Sequence, residues 1–186
     1  MSSFLRTFFG CGFGGQGVMV LGQLLSYAGI EEDRQVTWLP SYGPEMRGGT
    51  AHCSVIISDT AISSPFVTHA DLVVALNQPS VDKYFSFVKP GGVLLYNSDM
   101  AICHGDPKDA HVFAIPGNTM AEKAKNPKAV NIVFLGVIAA MCDFIRDETA
   151  QSVIREKLGA KKPQFLESNL TAYKMGFDLG ISLKQK

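Results

Sequence analysis

The sequence predicts an α/β fold: a three-layer sandwich with a mostly parallel sheet, one antiparallel hairpin and a run of C-terminal helices. Three observations predict it. An apolar run with Phe4, Leu5, Phe8 and Phe9 leads into Gly10-Cys11-Gly12-Phe13-Gly14-Gly15-Gln16-Gly17, and an amphipathic run with Val18, Leu21, Leu25 and Ala28 follows. That order reads strand, tight turn, helix. Short apolar runs then recur as far as Pro116, closed by proline or asparagine or, after Ile57, by an Asp59-Thr60 turn, and the remainder carries helical periodicity.

Taken in order, a first strand is predicted at 4–11 and a first helix at 16–29, ended by Gly29. Val36, Thr37, Trp38 and Leu39, closed by Pro40, read as a second parallel strand. At 51–57, Cys53, Val55 and Ile57 alternate with more polar neighbours, and 61–65 reads as the partner strand of an antiparallel hairpin. Residues 71–76 are apolar enough for a strand buried on both faces, and Pro79 suits the first turn of a helix reaching 88. Strands at 93–97 and 111–116 follow, then helices at 118–125, 130–144, 148–158 and 164–183. The helix at 130–144 is apolar on almost every face. It is short of the roughly twenty residues that cross a membrane, so it reads as a helix buried in the core or at a subunit contact.

The 186 residues are predicted to form one domain, with no repeat or low-complexity linker. Hydrophobic residues make up 46% and charged ones 18%, a globular balance. Seventeen basic residues match seventeen acidic ones, so no basic excess marks a nucleic-acid partner. Cys11, Cys53, Cys103 and Cys142 are widely separated, without the close pairs that zinc or iron–sulfur clusters use. Reduced thiols and the lack of a signal peptide predict a cytoplasmic protein.

The glycine turn contains two overlapping Gly-x-Gly-x-x-Gly patterns, Gly10/Gly12/Gly15 and Gly12/Gly14/Gly17. In a Rossmann-like unit, such a turn aims free N–H groups and a positive helix end at a phosphate. The dinucleotide reading also wants an acid at the end of the second strand, and here that strand ends Trp38-Leu39-Pro40. Gly12, Gly14, Gly15, Gln16 and Gly17 are therefore candidates for a ligand loop, a structural turn or an interface loop. A second crevice loop runs Ser41-Tyr42-Gly43-Pro44-Glu45-Met46-Arg47-Gly48-Gly49. Its Arg47 can take a phosphate or carboxylate bidentately, or pair with Glu45 or a neighbouring subunit. Ser41, Tyr42, Glu45 and Gly48 join it as candidates. Asn77 can donate into the same crevice or cap the following helix. His52, His69, His104 and His111 show no metal-ligand spacing, no Gly-x-Ser-x-Gly nucleophile occurs, and no catalytic residue is assigned.

Together, Gly12 to Val18, Ser41 to Ala51, Ser64-Pro65, Asn77-Gln78 and Lys89-Pro90-Gly91-Gly92 resemble the gamma subunit of 2-oxoacid:ferredoxin oxidoreductases. The resemblance is strong over about the first hundred residues, and the loop from Ser41 is its specific part. It implies a subunit of an enzyme that oxidatively decarboxylates a 2-oxo acid with coenzyme A, giving acyl-CoA and carbon dioxide, with electrons passing to ferredoxin. It implies alpha, beta and ferredoxin-like delta partners, with thiamine diphosphate and iron–sulfur clusters on those chains and no cofactor held by this chain alone. The Tyr-Gly-Pro-Glu-Met-Arg form leans toward 2-oxoglutarate or branched-chain 2-oxo acids. The apolar helix at 130–144 allows a homodimer of the isolated chain. The alternative is a stand-alone nucleotide- or flavin-binding protein.

Overall fold

The computed structural model describes residues 4–42, 50–105 and 109–185. Six strands form one sheet in the order β2-β3-β1-β4-β5-β6. They are β1 (Leu5–Phe13), β2 (Gln35–Tyr42), β3 (Thr50–Ser58), β4 (Ala70–Ala75), β5 (Val88–Asn97) and β6 (His111–Ile115). β1, β4, β5 and β6 pair in parallel, whereas β3 runs antiparallel to both of its neighbours. The mixed α/β sheet with a parallel majority and an antiparallel pair is the fold the sequence predicts.

The antiparallel part is built from other strands than expected. β2 points the same way as β1, but β3 lies between them, so the two are not hydrogen-bonded neighbours. The hairpin is β2 with β3, and 61–65 adopts no strand. β3 is buried on both faces, and its Ser54 and Ser58 are small enough to sit inside, so the apparent wet face is an interior one. The Ser58 hydroxyl then accepts the Thr60 N–H at 3.1 Å, ending the strand in a local turn.

Most helices cover one face: α1 (Val18–Glu31), α3 (Gly117–Lys123), α4 (Val130–Met141), α5 (Asp147–Val153) and α6 (Leu166–Lys184). α5 runs on into a wider turn over Ile154–Gly159, and a short 3-10 turn, Pro163–Phe165, precedes α6. These elements bury Phe8, Val55, Leu72, Leu95 and Ile115 from alternate positions of five strands. The other face is thinner. α2 (Gln78–Tyr84) and the 3-10 turn Phe85–Phe87 supply Val81, Tyr84 and Phe87 against Phe9, Val73 and Leu94. α2 ends four residues before the expected 88, because Val88 already pairs with Ala70 as the start of β5. Gly29 does not end α1 either. It lets the helix lie against the sheet, since a Cβ there would sit 2.8 Å from Val36 Cγ2, and the chain reverses at Asp33 with φ +57°.

α4 is buried from Asn131 to Ile138 without a break. It packs against α6 through Gly136 and Gly176, where an added Cβ would collide with the carbonyl oxygens of Tyr173 and Val133 respectively. The helix expected in the core or at a subunit contact is thus in the core. Among the described residues, no helix is long and apolar enough to cross a membrane. Gly176→Ala is expected to destabilise the protein by about 1–3 kcal/mol through overpacking and to lower the melting temperature by several degrees. Thermal unfolding checks this; an unchanged melting temperature would contradict the close helix contact.

Candidate functional site

The parallel strands β1 and β4 end side by side, with Cys11 opposite Ala75, and the turns that leave them form the crevice. After β1, the turn carries Gly15 at φ +99° and Gly17 at φ +83°, left-handed values that a Cβ would strain. Gly14 and Gly15 are exposed. Gly17 is the N-cap of α1, which has no side-chain cap and no acidic residue in its first turn. The positive helix end is therefore left open.

Gln16 ties this turn to the next one. Its Oε1 accepts the Phe13 N–H at 2.7 Å and Asn77 Nδ2 at 2.8 Å, while its Nε2 donates to the Leu76 carbonyl at 3.2 Å. The Leu76 N–H donates to the Cys11 carbonyl at 3.0 Å. Gly12 makes room for this arrangement, because a Cβ there would stand 2.9 Å from Gln16 Oε1. Asn77 is buried, and its Oδ1 accepts the Ser80 N–H at 3.0 Å, so it caps α2 while it donates to Gln16. The capping role weighed for Asn77 is the one its geometry fills.

Six candidates thus meet in one crevice: Gly12, Gly14, Gly15, Gln16, Gly17 and Asn77. Ser41 sits two strands from β1, opposite His52. The Tyr42 side chain, Glu45, Arg47 and Gly48 lie outside the described residues. The strand register nevertheless places both flanks of that segment at the crevice end, with Ala51 opposite both Gly12 and Tyr42, and Thr50 opposite Phe13.

His52 was not singled out from the sequence. Its ring stacks on Phe9 with centroids 5.3 Å apart, and its Nδ1 is 3.4 Å from the Tyr84 hydroxyl. Burial, and after it the positive Lys83, hold its pKa below the ordinary histidine range, so the ring is neutral at pH 7. The period-2 pattern of β3, with Cys53, Val55 and Ile57 inward, was the signal that puts His52 on the opposite face. Cys11 is no nucleophile: burial drives its thiol pKa up, as burial pushes that of Cys53 up to about 12. No group of three or more His, Cys, Asp or Glu among the described residues is placed to hold a metal ion. A cavity of about 530 Å³ between α5 and α6, lined by Asp147, Tyr173 and Lys174, shares none of the crevice residues.

Removing the Gln16 amide leaves a main-chain N–H, a carbonyl and the Asn77 amide without their partner. Gln16→Leu is expected to cost about 1–3 kcal/mol. Urea unfolding measures it, and an unchanged midpoint would show that the two turns hold their places independently.

Comparison with known proteins gives a consistent picture. The sequence pattern described as pyruvate ferredoxin/flavodoxin oxidoreductase matches residues 8–179. Ketoisovalerate oxidoreductase subunit VorA of Methanothermobacter thermautotrophicus is 38% identical over 166 residues, covering 89% of this chain and 34% of VorA. 2-Oxoglutarate synthase subunit KorC of Methanocaldococcus jannaschii is 33% identical over 175 residues, covering 92% of each chain. The solved gamma subunit of the keto/oxoacid ferredoxin oxidoreductase from Geobacter sulfurreducens superposes with a TM-score of 0.82 at 31% identity, covering 95% of this chain and 99% of that one. The chain therefore spans about a third of the length of VorA and nearly all of KorC.

Proposed function

Because the chain belongs to the pyruvate ferredoxin/flavodoxin oxidoreductase family, we propose that it works as the gamma subunit of a multi-chain 2-oxoacid:ferredoxin oxidoreductase. The observation that carries this is the end-to-end match to KorC and to the Geobacter gamma subunit. In the reaction, a 2-oxo acid and coenzyme A give acyl-CoA and carbon dioxide, and the two electrons released go to ferredoxin. 2-Oxoglutarate or a branched-chain 2-oxo acid is the proposed substrate, supported by the names KorC and VorA. Thiamine diphosphate and the iron–sulfur clusters belong to the alpha, beta and delta chains in this reading. The complex is cytoplasmic, and this chain enters it as one unit.

Its own part is to wall the active-site cleft and to help seat coenzyme A or the alpha subunit. The exposed Gly14 and Gly15, the open end of α1 and the loop from Ser41 through Arg47 to Gly48 form the proposed contact surface. The clamp between Gln16 and Asn77 keeps the two turns in register for that contact. A phosphate of coenzyme A is the natural partner for the Arg47 guanidinium.

The assembled complex carrying Arg47→Ala tests the seat. A charged hydrogen bond is worth about 1.5–3 kcal/mol, so KM for coenzyme A is expected to rise roughly tenfold or more. Unchanged KM and unchanged acyl-CoA formation would remove Arg47 from the site.

A further inference from the structure

β2 is one outer edge of the sheet, and β6 is the other. β6 has five residues, whereas β2 has eight and carries no Lys, Arg, Asp or Glu. Folded proteins blunt an edge with charge, shortness or proline, because an open edge takes up another strand. β2 has Pro40 alone, near its crevice end. That proline also shows which groups face outward. Pro40 lies opposite Cys53 and has no N–H to give it, so its backbone points away from β3. The Cys11 carbonyl, held toward β4 by the Leu76 N–H, requires the same phase, since it leaves Gly10 to bond Cys53. By alternation, the N–H and C=O groups of Val36 and Trp38 point outward too. Among the described residues, no further backbone hydrogen bond reaches them.

α1 rides above this edge. Gly22 sets it against Trp38 and Cys53, and Gly29 against Val36 and Ile57, so the helix runs between β2 and β3. Its core side carries Leu21, Leu24, Leu25 and Ala28. The opposite flank carries Met19, Gln23 and Ile30, which share one stripe at i, i+4 and i+11. Ile30 is 58% exposed. Paired strands lie about 4.8 Å apart. A helix set half that spacing inside the edge strand meets its image across a two-fold axis at about 10 Å, the distance at which helices pack.

We propose that two copies of this chain join through β2, edge to edge and antiparallel, into one continuous sheet with α1 packed on α1 of the second copy. The two-fold axis passes Thr37. There Val36 of each copy opposes Trp38 of the other, and each pair exchanges both of its backbone hydrogen bonds. An axis at Trp38 would instead set Val36 against Pro40, which has no N–H to return. The two Thr37 side chains face each other at the distance where Thr–Thr pairs bond. In the single chain, Thr37 Oγ1 is buried without a hydrogen-bond partner among the described residues. A turn about χ1 brings it to its twin. Above the strands, Ile30 of each copy reaches Met19 and Gln23 of the other. Seventeen acidic and seventeen basic residues leave no net charge to hold two copies apart. This dimer does not use α4, which lies in the core, and it does not rest on the crevice contact proposed above.

Sedimentation of the full chain, with mild oxidation of a Thr37→Cys variant, tests the pairing. The unaltered chain is expected at twice its 20.1 kDa. Thr37→Cys is expected to form a covalent dimer that the unaltered chain, oxidised in parallel, does not form, because opposed Cα atoms on the axis lie within disulfide reach. Ile30→Lys, at an exposed position that leaves the fold intact, sets a charge against Met19 of the second copy. It is expected to raise the dissociation constant of the dimer roughly tenfold or more. A chain that stays monomeric at millimolar concentration, or a dimer that Ile30→Lys leaves unchanged and Thr37→Cys does not lock, overturns the proposal. So does a Thr37→Cys chain that crosslinks in its own cell to a different protein, which assigns the edge to a foreign strand.

Discussion

The Gln16 side chain is the interaction on which the crevice depends. One amide holds the end of β1, the end of β4 and the cap of α2 together, at 2.7 Å, 3.2 Å and 2.8 Å. A Cβ on Gly12 would stand 2.9 Å from both Gln16 Oε1 and Val18 Cγ2, so this packing needs a glycine there. The same amide also reduces what Gln16 can offer a partner, because its acceptor is doubly used. What remains for recognition is the exposed backbone of Gly14 and Gly15 and the uncapped start of α1. A glycine-rich turn here is first a piece of construction and then a surface.

The sheet supports that construction unevenly. Five helices bury one face, and α4 fits against α6 so closely that glycines replace side chains at both crossing points. Among the described residues, the other face is covered by α2, a 3-10 turn and loop residues such as Val67 and Ala101, over an aromatic group of Phe9, Tyr84, Phe87 and His52. A thinly covered face beside the crevice fits the proposal that other chains complete this one, a proposal that rests on the match over 92% of KorC and 99% of the Geobacter gamma subunit.

Much of this was legible in the sequence. The strand–turn–helix at Gly10 to Gly17, the buried strand at 71–76, the proline-started α2 and the all-round apolar α4 follow from local pattern alone. Strand order does not. β3 sits between β1 and β2 through pairing across some forty residues, and its two buried serines carried the period of a wet edge. Gly29 had the residue type of a helix stop, and only the approach of Val36 shows why a glycine is there. His52 escaped for a related reason: it acquires meaning from Tyr84, a neighbour far away in the chain. The loop that makes the family resemblance specific is a matter of residue identity, which a reader of periodicity passes over.

The measurement that bears most directly on the account is purification of the tagged chain from its own cell, followed by an assay of viologen reduction. Co-purifying subunits that bring thiamine diphosphate and iron–sulfur clusters, and reduction that requires both coenzyme A and either 2-oxoglutarate or a branched-chain 2-oxo acid, is the predicted result. A chain recovered alone, carrying a nucleotide or flavin and giving no oxo-acid-dependent reduction, would contradict it.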